Sequence, residues 1–172
     1  PAIGLYAGDI TSSVIQNVVF GRKTVALRDA RVRLAMQRSY DRETWIETIE
    51  NAKRFEDVGI PVERSWYGAF PIVGHAFDGW HADPRDSKAF GPTAVNFVYD
   101  SAEAKKLLAA AGFPNGMELA STSPATGAGS GQTTIDARQA MNADAGFKFT
   151  DNVLPYETEF IPKYRDQIGD FA

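Results

Sequence analysis

The sequence predicts an α/β layer fold, a mixed sheet flanked by helices with at least part of its strand pairing parallel, and three observations point there. Stretches of strand-like alternation take turns with stretches of helical period along the chain. A unit running helix, Ala-Gly-Phe, strand occurs twice, around Ala111-Gly112-Phe113 and Ala145-Gly146-Phe147. The composition, 44% hydrophobic and 23% charged over 172 residues, is that of an ordinary globular chain. A chain of this length buries roughly 70% of the surface it exposes when unfolded, so neither disulfides nor a metal is needed to hold a core together. One domain is the expected count.

Apolar alternation in Ile3-Gly4-Leu5-Tyr6 and the β-branched run Val14 to Phe20 predict two strands, the second ended by Gly21. Asp29 can cap a first helical turn, and Val32, Ala35 and Met36 recur at helical spacing, which places a helix over about Ala30 to Tyr40. Asp41 starts a second helix through Ile49, with Trp45, Ile46 and Ile49 on one face and Glu43, Glu47 and Glu50 toward water. From Gly59 to Asp100 the period disappears. Prolines and glycines gather there with Trp66, Tyr67, Phe70, Trp80 and Phe90, and the segment reads as a long loop.

Asp100-Ser101-Ala102-Glu103 is a capping-box pattern ahead of the helix formers Ala104 to Ala111, and Gly112 supplies a left-handed C-cap. Pro114-Asn115-Gly116 makes a turn, Met117 to Ser121 alternates as a strand, and Thr126 to Gly131 reads as a flexible link. The echo follows. Thr133 or Thr134 caps a helix through Ile135, Ala137, Ala140 and Met141 that stops at Gly146, and Phe147 to Val153 alternates again. A last helix starts near Thr158, with Pro162 tolerable only in or beside its first turn.

Composition removes several classes of function. A net charge of −4, with Lys and Arg scattered, lacks the basic stripe of a nucleic-acid binder. The absence of cysteine removes thiolate catalysis, thiolate metal sites and disulfides together. No apolar run approaches the ~20 residues that span a bilayer. Pro1 stands at the start with no basic or apolar leader behind it, as expected of a processed or excised chain.

Candidate chemistry is sparse. His75 and His81 lie near Asp78, Asp83 and Asp86, but the spacing fits no helical ligand pair and Gly79-Trp80 favours a turn, so surface turn residues are preferred to a metal site. Gly127-x-Gly129-x-Gly131 lacks both the P-loop Lys-Ser/Thr ending and the dinucleotide spacing. No serine occupies a nucleophile elbow, and the acid pairs Asp9 with Asp29 and Asp144 with Asp151 read as caps or solvated faces. The rigid aromatic faces from Trp66 to Phe90 are different: they serve either a ligand cleft or packing against a neighbouring domain.

Three separated stretches resemble extracellular solute-binding protein family 5, the dipeptide, oligopeptide and nickel binding proteins of ABC importers. Leu27 to Met36, followed by Tyr40-Asp41-Arg42-Glu43, is similar to that family's Asp-x-Arg-Val-Arg-x-Ala then Asp-Arg-Glu signature. Tyr99 to Phe113 resembles its second signature, an Asp-capped Ala-Lys-x-Leu-Leu helix ending Ala-Gly-aromatic. More loosely, Ala145-Gly146-Phe147 and then Tyr164-Arg165 through Gly169-Asp170-Phe171 follow the family's order. Within these motifs Asp29, Asp41 and Asp100 look like caps, and Arg31 and Arg33 like ion-pair donors on a helix face.

The resemblance implies a periplasmic-binding-protein-like (type II) lobe, with residues 1–172 forming part of the C-terminal lobe of a two-lobed protein. It implies a peptide or other small-molecule ligand captured by closure of two lobes, an N-terminal lobe and ABC importer membrane subunits as partners, and no cofactor or catalysis. It also implies a periplasmic or extracellular location. Glu56 to Pro61 and the loop from Trp66 to Pro92 depart from the family's pattern and leave the ligand class open, nickel chelates and oligosaccharides included. Trp66, Tyr67 and Arg165 are the expected contacts to ligand or opposite lobe, Arg165 through the planar donor fork that suits a carboxylate. The competing expectation is a free-standing α/β interaction module or small enzyme domain.

Overall fold

The computed structural model describes residues 24–45, 47–48, 51–61, 83–125 and 130–166. The strands expected at Ile3 to Tyr6 and Val14 to Phe20, and the aromatic stretch from Trp66 to Trp80 with both histidines, lie outside the described residues.

A 3₁₀ turn, Val25–Arg28, buries Leu27 and leads into α1, Ala30–Arg38. Asp29 caps α1 by accepting from the Arg31 amide at 2.8 Å. The apolar stripe is as the spacing predicts, with Val32, Ala35 and Met36 buried. Asp41 accepts from the Thr44 amide at 3.1 Å and opens α2, which is shorter than expected at Arg42–Trp45. Residues 47–48 continue in a wider π-type turn, and α3 follows at Ala52–Glu56.

The expected loop between Gly59 and Asp100 is partly helical where it is described. Asp86 accepts from the Lys88 amide and starts α4, Ser87–Phe90, which runs into a 3₁₀ helix, Gly91–Phe97, with Pro92 in its first turn. Proline is at home there because a first-turn amide has no partner to lose. The periodicity was hidden because both pieces are short and the 3₁₀ spacing is three residues, not 3.6.

Asp100 caps α5, Ser101–Ala110, by accepting from the Glu103 amide at 2.8 Å. The reciprocal half of the expected capping box is not made: the Asp100 amide donates instead to the Arg38 carbonyl at 2.8 Å, and the Glu103 carboxylate pairs with Lys106. The helix ends as predicted on Gly112 at φ +99°, in a Schellman arrangement in which the Phe113 amide reaches Leu108 O and the Gly112 amide reaches Ala109 O.

β1, Met117–Pro124, pairs in parallel with β2, Phe147–Leu154, in the register Met117 to Phe147 through Pro124 to Leu154. The crossover between them is α6, Ser130–Asp144. It starts earlier than the expected Thr133 or Thr134, so Ser130 and Gly131 belong to the helix and not to a flexible link. Side chains of Met117, Leu119, Phe147 and Phe149 alternate onto one face of the sheet and pack with Val32, Ala35 and Met36 of α1 and Ala104 and Leu108 of α5. Phe147 and Leu108 are fully buried, each contributing roughly 2–3 kcal/mol relative to exposure. This is a periplasmic-binding-protein-like α/β arrangement: helices on a small parallel sheet, with the strand ends free to carry loops.

Candidate functional site

In open α/β sheets, ligands lie beyond the carboxyl ends of parallel strands, because loops there converge without disturbing the core. That edge is formed here by Ser121 to Ala125 and Asp151 to Pro155. The pairing is closed by the Ala125 amide donating to Leu154 O at 2.7 Å.

Immediately after β2 the chain widens into a π turn, Tyr156–Phe160, in which the Phe160 amide donates five residues back to Pro155 O at 2.9 Å. The turn passes directly into α7, Ile161–Asp166. Pro162 is its second residue, within the first-turn tolerance expected, and the broadened turn stands where the proline ring would otherwise crowd the carbonyl of Thr158. Phe160 is buried and anchors the turn, which packs back on β1.

Around that anchor runs an aromatic ladder. The rings of Tyr156 and Phe160 lie 6.0 Å apart at 18°, and those of Phe160 and Tyr164 lie 5.8 Å apart at 27°. Tyr156 and Tyr164 remain 52% and 42% exposed, so the ladder presents two phenol rings beside the strand ends. Arg165 follows Tyr164 directly. It is largely exposed, its Nε donates to Asp166 Oδ1 at 3.1 Å, and its terminal nitrogens make no hydrogen bond among the described residues. A guanidinium with its fork available can take a carboxylate in two parallel hydrogen bonds.

Under the same edge, on the core face of β1, Ser121 and Ser123 are buried with hydroxyls that have no hydrogen-bond partner among the described residues. The neighbouring Asp151 of β2 accepts from Gln139 of α6, which fixes the crossover helix over the strand end.

Of the three expected contact residues, Arg165 therefore lies on the aromatic ridge beyond β2, and Trp66 and Tyr67 lie outside the described residues. The ladder itself was missed. Its spacing, Tyr156, Phe160 and Tyr164 at i, i+4 and i+8, is a readable signal, but Pro155 and Pro162 bracket it and discourage a helical reading.

The remaining candidates are absorbed by structure. Asp83 holds Arg85 through both carboxylate oxygens, at 2.7 Å for Nη2, and Asp86 is the α4 cap. Arg85 reaches on to Glu43, and Arg42, drawn down by burial, stacks over the Tyr40 ring at 5.2 Å while donating to Phe97 O. The segment from 83 to 97 is thereby tied to α2. Arg31 behaves as expected, pairing with Asp29 at 2.6 Å, but also donates to Ala110 O, the last carbonyl of α5. Arg33, expected as an ion-pair donor, donates to the carbonyls of Leu27 and Arg28, holding the 3₁₀ turn against α1, and its charge also helps keep the Asp29 carboxyl low.

A family model described as "Bacterial extracellular solute-binding proteins, family 5 Middle" matches residues 6–172. No curated protein matches the sequence. Among solved structures, the mannopinic acid complex of the binding protein MoaA from A. tumefaciens R10 is similar over 95% of this chain and 29% of its own, at 18% identity and a TM-score of 0.64. The agropinic acid complex of AgaA from the same source is similar over 90% and 27%, at 23% identity and 0.58. The peptide complex of DppA from Helicobacter pylori is similar over 90% and 26%, at 17% identity and 0.52. The chain spans less than a third of the length of these structures.

Proposed function

Because the chain belongs to the bacterial extracellular solute-binding proteins of family 5, we propose that it forms part of the C-terminal lobe of a two-lobed protein that captures a small ligand and delivers it to an ABC importer. It acts by binding, outside the cytoplasm, and not by catalysis. The ligand is an oligopeptide or a comparable amino-acid-derived acid, held between this lobe and the opposite one as the two close about a hinge.

One observation carries the reading: the carboxyl edge of a parallel β1–β2 pair is flanked by an exposed aromatic ridge that ends in a guanidinium whose terminal donors are unused among the described residues. Aromatic faces give contact area at low entropic cost, and the guanidinium selects an anionic end. Arg165 is thus assigned to a ligand carboxylate, or to the facing lobe, with Trp66 and Tyr67 as further aromatic contacts. The similar structures support an acid: MoaA holds mannopinic acid, AgaA agropinic acid and DppA a peptide.

Calorimetry separates the ligand classes. Protein carrying both lobes is titrated with di- to pentapeptides, with mannopinic and agropinic acids, and with oligosaccharides and nickel chelates as controls. Saturable binding of a peptide or an opine acid, weakened at least tenfold by Arg165→Gln, is the expected outcome. Binding restricted to sugars or chelates refutes the ligand class, and unchanged affinity in the Arg165 variant removes that residue from the site.

A further inference from the structure

The face of the sheet that packs on α1 and α5 changes character halfway along β1. Its inward positions read Met117, Leu119, Ser121 and Ser123. The first two belong to the core. The serines are as deeply buried, at 0% and 5% exposed, yet neither hydroxyl has a hydrogen-bond partner among the described residues. A hydroxyl so placed has given up its water and received no bond in return, and an aliphatic side chain would sit there at less cost.

Burial ends one strand away. The parallel register sets Asp151 beside Ser121 and Val153 beside Ser123 on the same face, and both β2 residues are exposed. Solvent therefore reaches the neighbouring strand, roughly 5 Å from the serines. Ser123 is also the next-to-last residue of β1, at the carboxyl edge, and the turn that carries Tyr156 packs on the same strand. Ser39 makes the contrast. It is fully buried as well, but its hydroxyl lies between Met36 O, at 2.8 Å, and Asn142 Oδ1. Where a buried serine only joins two helices, this chain satisfies it.

We propose that Ser121 and Ser123 form a subsite that hydrogen-bonds an uncharged amide or hydroxyl group of the ligand taken up at the β1–β2 edge. The inference rests on the transport reading and adds a second point of recognition to it: Arg165 takes the charged end, and the serines take a neutral group of the ligand's body. A serine hydroxyl both donates and accepts, so it suits groups that do both. Both oxygens are covered in this conformation, so entry of the ligand displaces the cover of β1. A site that keeps buried hydroxyls unpaired until its ligand arrives discriminates against analogues that lack the matching group.

The test pairs calorimetry with urea unfolding on protein carrying both lobes. The probes are di- to pentapeptides, which offer amides, and mannopinic acid, which offers hydroxyls. Combining Ser121→Ala with Ser123→Ala is expected to weaken binding of whichever probe the wild-type protein takes about tenfold, and to leave the urea midpoint unchanged or raised, because no bond of the unliganded fold is lost. Ser39→Ala is expected to do the reverse, lowering the midpoint at full affinity. Loss with the peptides assigns the amide, and loss with mannopinic acid the hydroxyl. Full affinity in the double variant overturns the proposal and leaves the serines as a buried water site, while Arg165→Gln still reports on the transport reading by itself. A midpoint lowered as far as in Ser39→Ala overturns it too, by showing that the hydroxyls hold the fold. If no probe binds the wild-type protein, the transport reading falls and the subsite with it.

Discussion

Gly112 and Gly116 stand four residues apart between α5 and β1, yet the effects of replacing them by alanine are expected to differ sharply. Both have positive φ, +99° and +88°. A left-handed alanine costs about 1–2 kcal/mol, reduced by roughly 0.4–1 kcal/mol because alanine restricts the unfolded chain. At Gly112 nothing lies within 4 Å of an added Cβ, so Gly112→Ala is expected to cost about 1 kcal/mol. At Gly116 the added Cβ overlaps the carbonyl oxygen of Gly146. That oxygen accepts from the Met117 amide at 2.9 Å and starts the β1–β2 ladder. It cannot move away without stretching that bond, a further loss of about 0.5–1.5 kcal/mol. Gly116→Ala is therefore expected to destabilise by about 1.5–2.5 kcal/mol in all. Urea unfolding followed by circular dichroism measures both variants, and the difference, at a slope of about 2 kcal/mol/M, appears as a midpoint lower by roughly 0.3–0.7 M for Gly116→Ala. Equal midpoints for the two variants would falsify the close approach of the glycines as the origin of the strand register.

Two further outcomes follow from the core and the caps. Leu108→Ala removes a fully buried side chain from the junction of α1, α5 and the sheet and is expected to cost about 2–5 kcal/mol in the same assay, whereas a loss under 1 kcal/mol would mean that α5 does not seal the core. Asp29 is held at a pKa of about 2, below its ordinary 3.8, by the side-chain and then the backbone hydrogen bond from Arg31. Since the folded value is the lower one, the stabilisation is full above the unfolded pKa, near 4, and is lost as pH falls through about 2. A carboxyl-carbon NMR titration is expected to show the low midpoint, returning toward 3.8 in Arg31→Gln; a native midpoint at 3.8 contradicts the pairing.

Much of this fold could be read from the sequence wherever a local rule acts alone. Asp29, Asp41 and Asp100 were each expected as caps and each accepts a first-turn amide, because a carboxylate two or three residues ahead of a free N–H needs no help from the rest of the molecule. The repeated helix, Ala-Gly-Phe and strand unit became a parallel pair for the same reason. Its two copies are not equivalent, however. Phe147 enters β2 at once, whereas Phe113 is followed by Pro114-Asn115-Gly116 before β1 begins, so it is Gly116 and not Gly112 that faces Gly146. Register depends on which backbones touch, which repetition in the sequence does not encode. The Arg33 contacts, the lost half of the Asp100 capping box and the Tyr156 to Tyr164 ladder were hidden similarly, since each depends on a competing tertiary partner or on a turn wider than an α-helix.

The two long motifs of the three that carry the family resemblance form one structural device. Arg31 of the first donates to Ala110 O at the end of the second motif's helix, and Arg38 of α1 gives both its carbonyl and, at 3.1 Å, its guanidinium to Asp100 at that helix's start. The helices are thus bolted together at both ends, and Val32, Ala35, Ala104 and Leu108 fill the space between. What this pair holds steady is the floor of the sheet, Met117, Leu119 and Phe147, and through it the direction in which both strands leave the core. The described side chains we propose to contact a ligand stand elsewhere, at the carboxyl end of β1, on the turn after β2 and on the helix that follows it, outside both long motifs. A scaffold fixed by ion pairs and caps can therefore be kept while its ridge is rewritten. A resemblance carried by such motifs fixes how the strand ends are presented, and leaves the chemistry of the ligand to residues outside them.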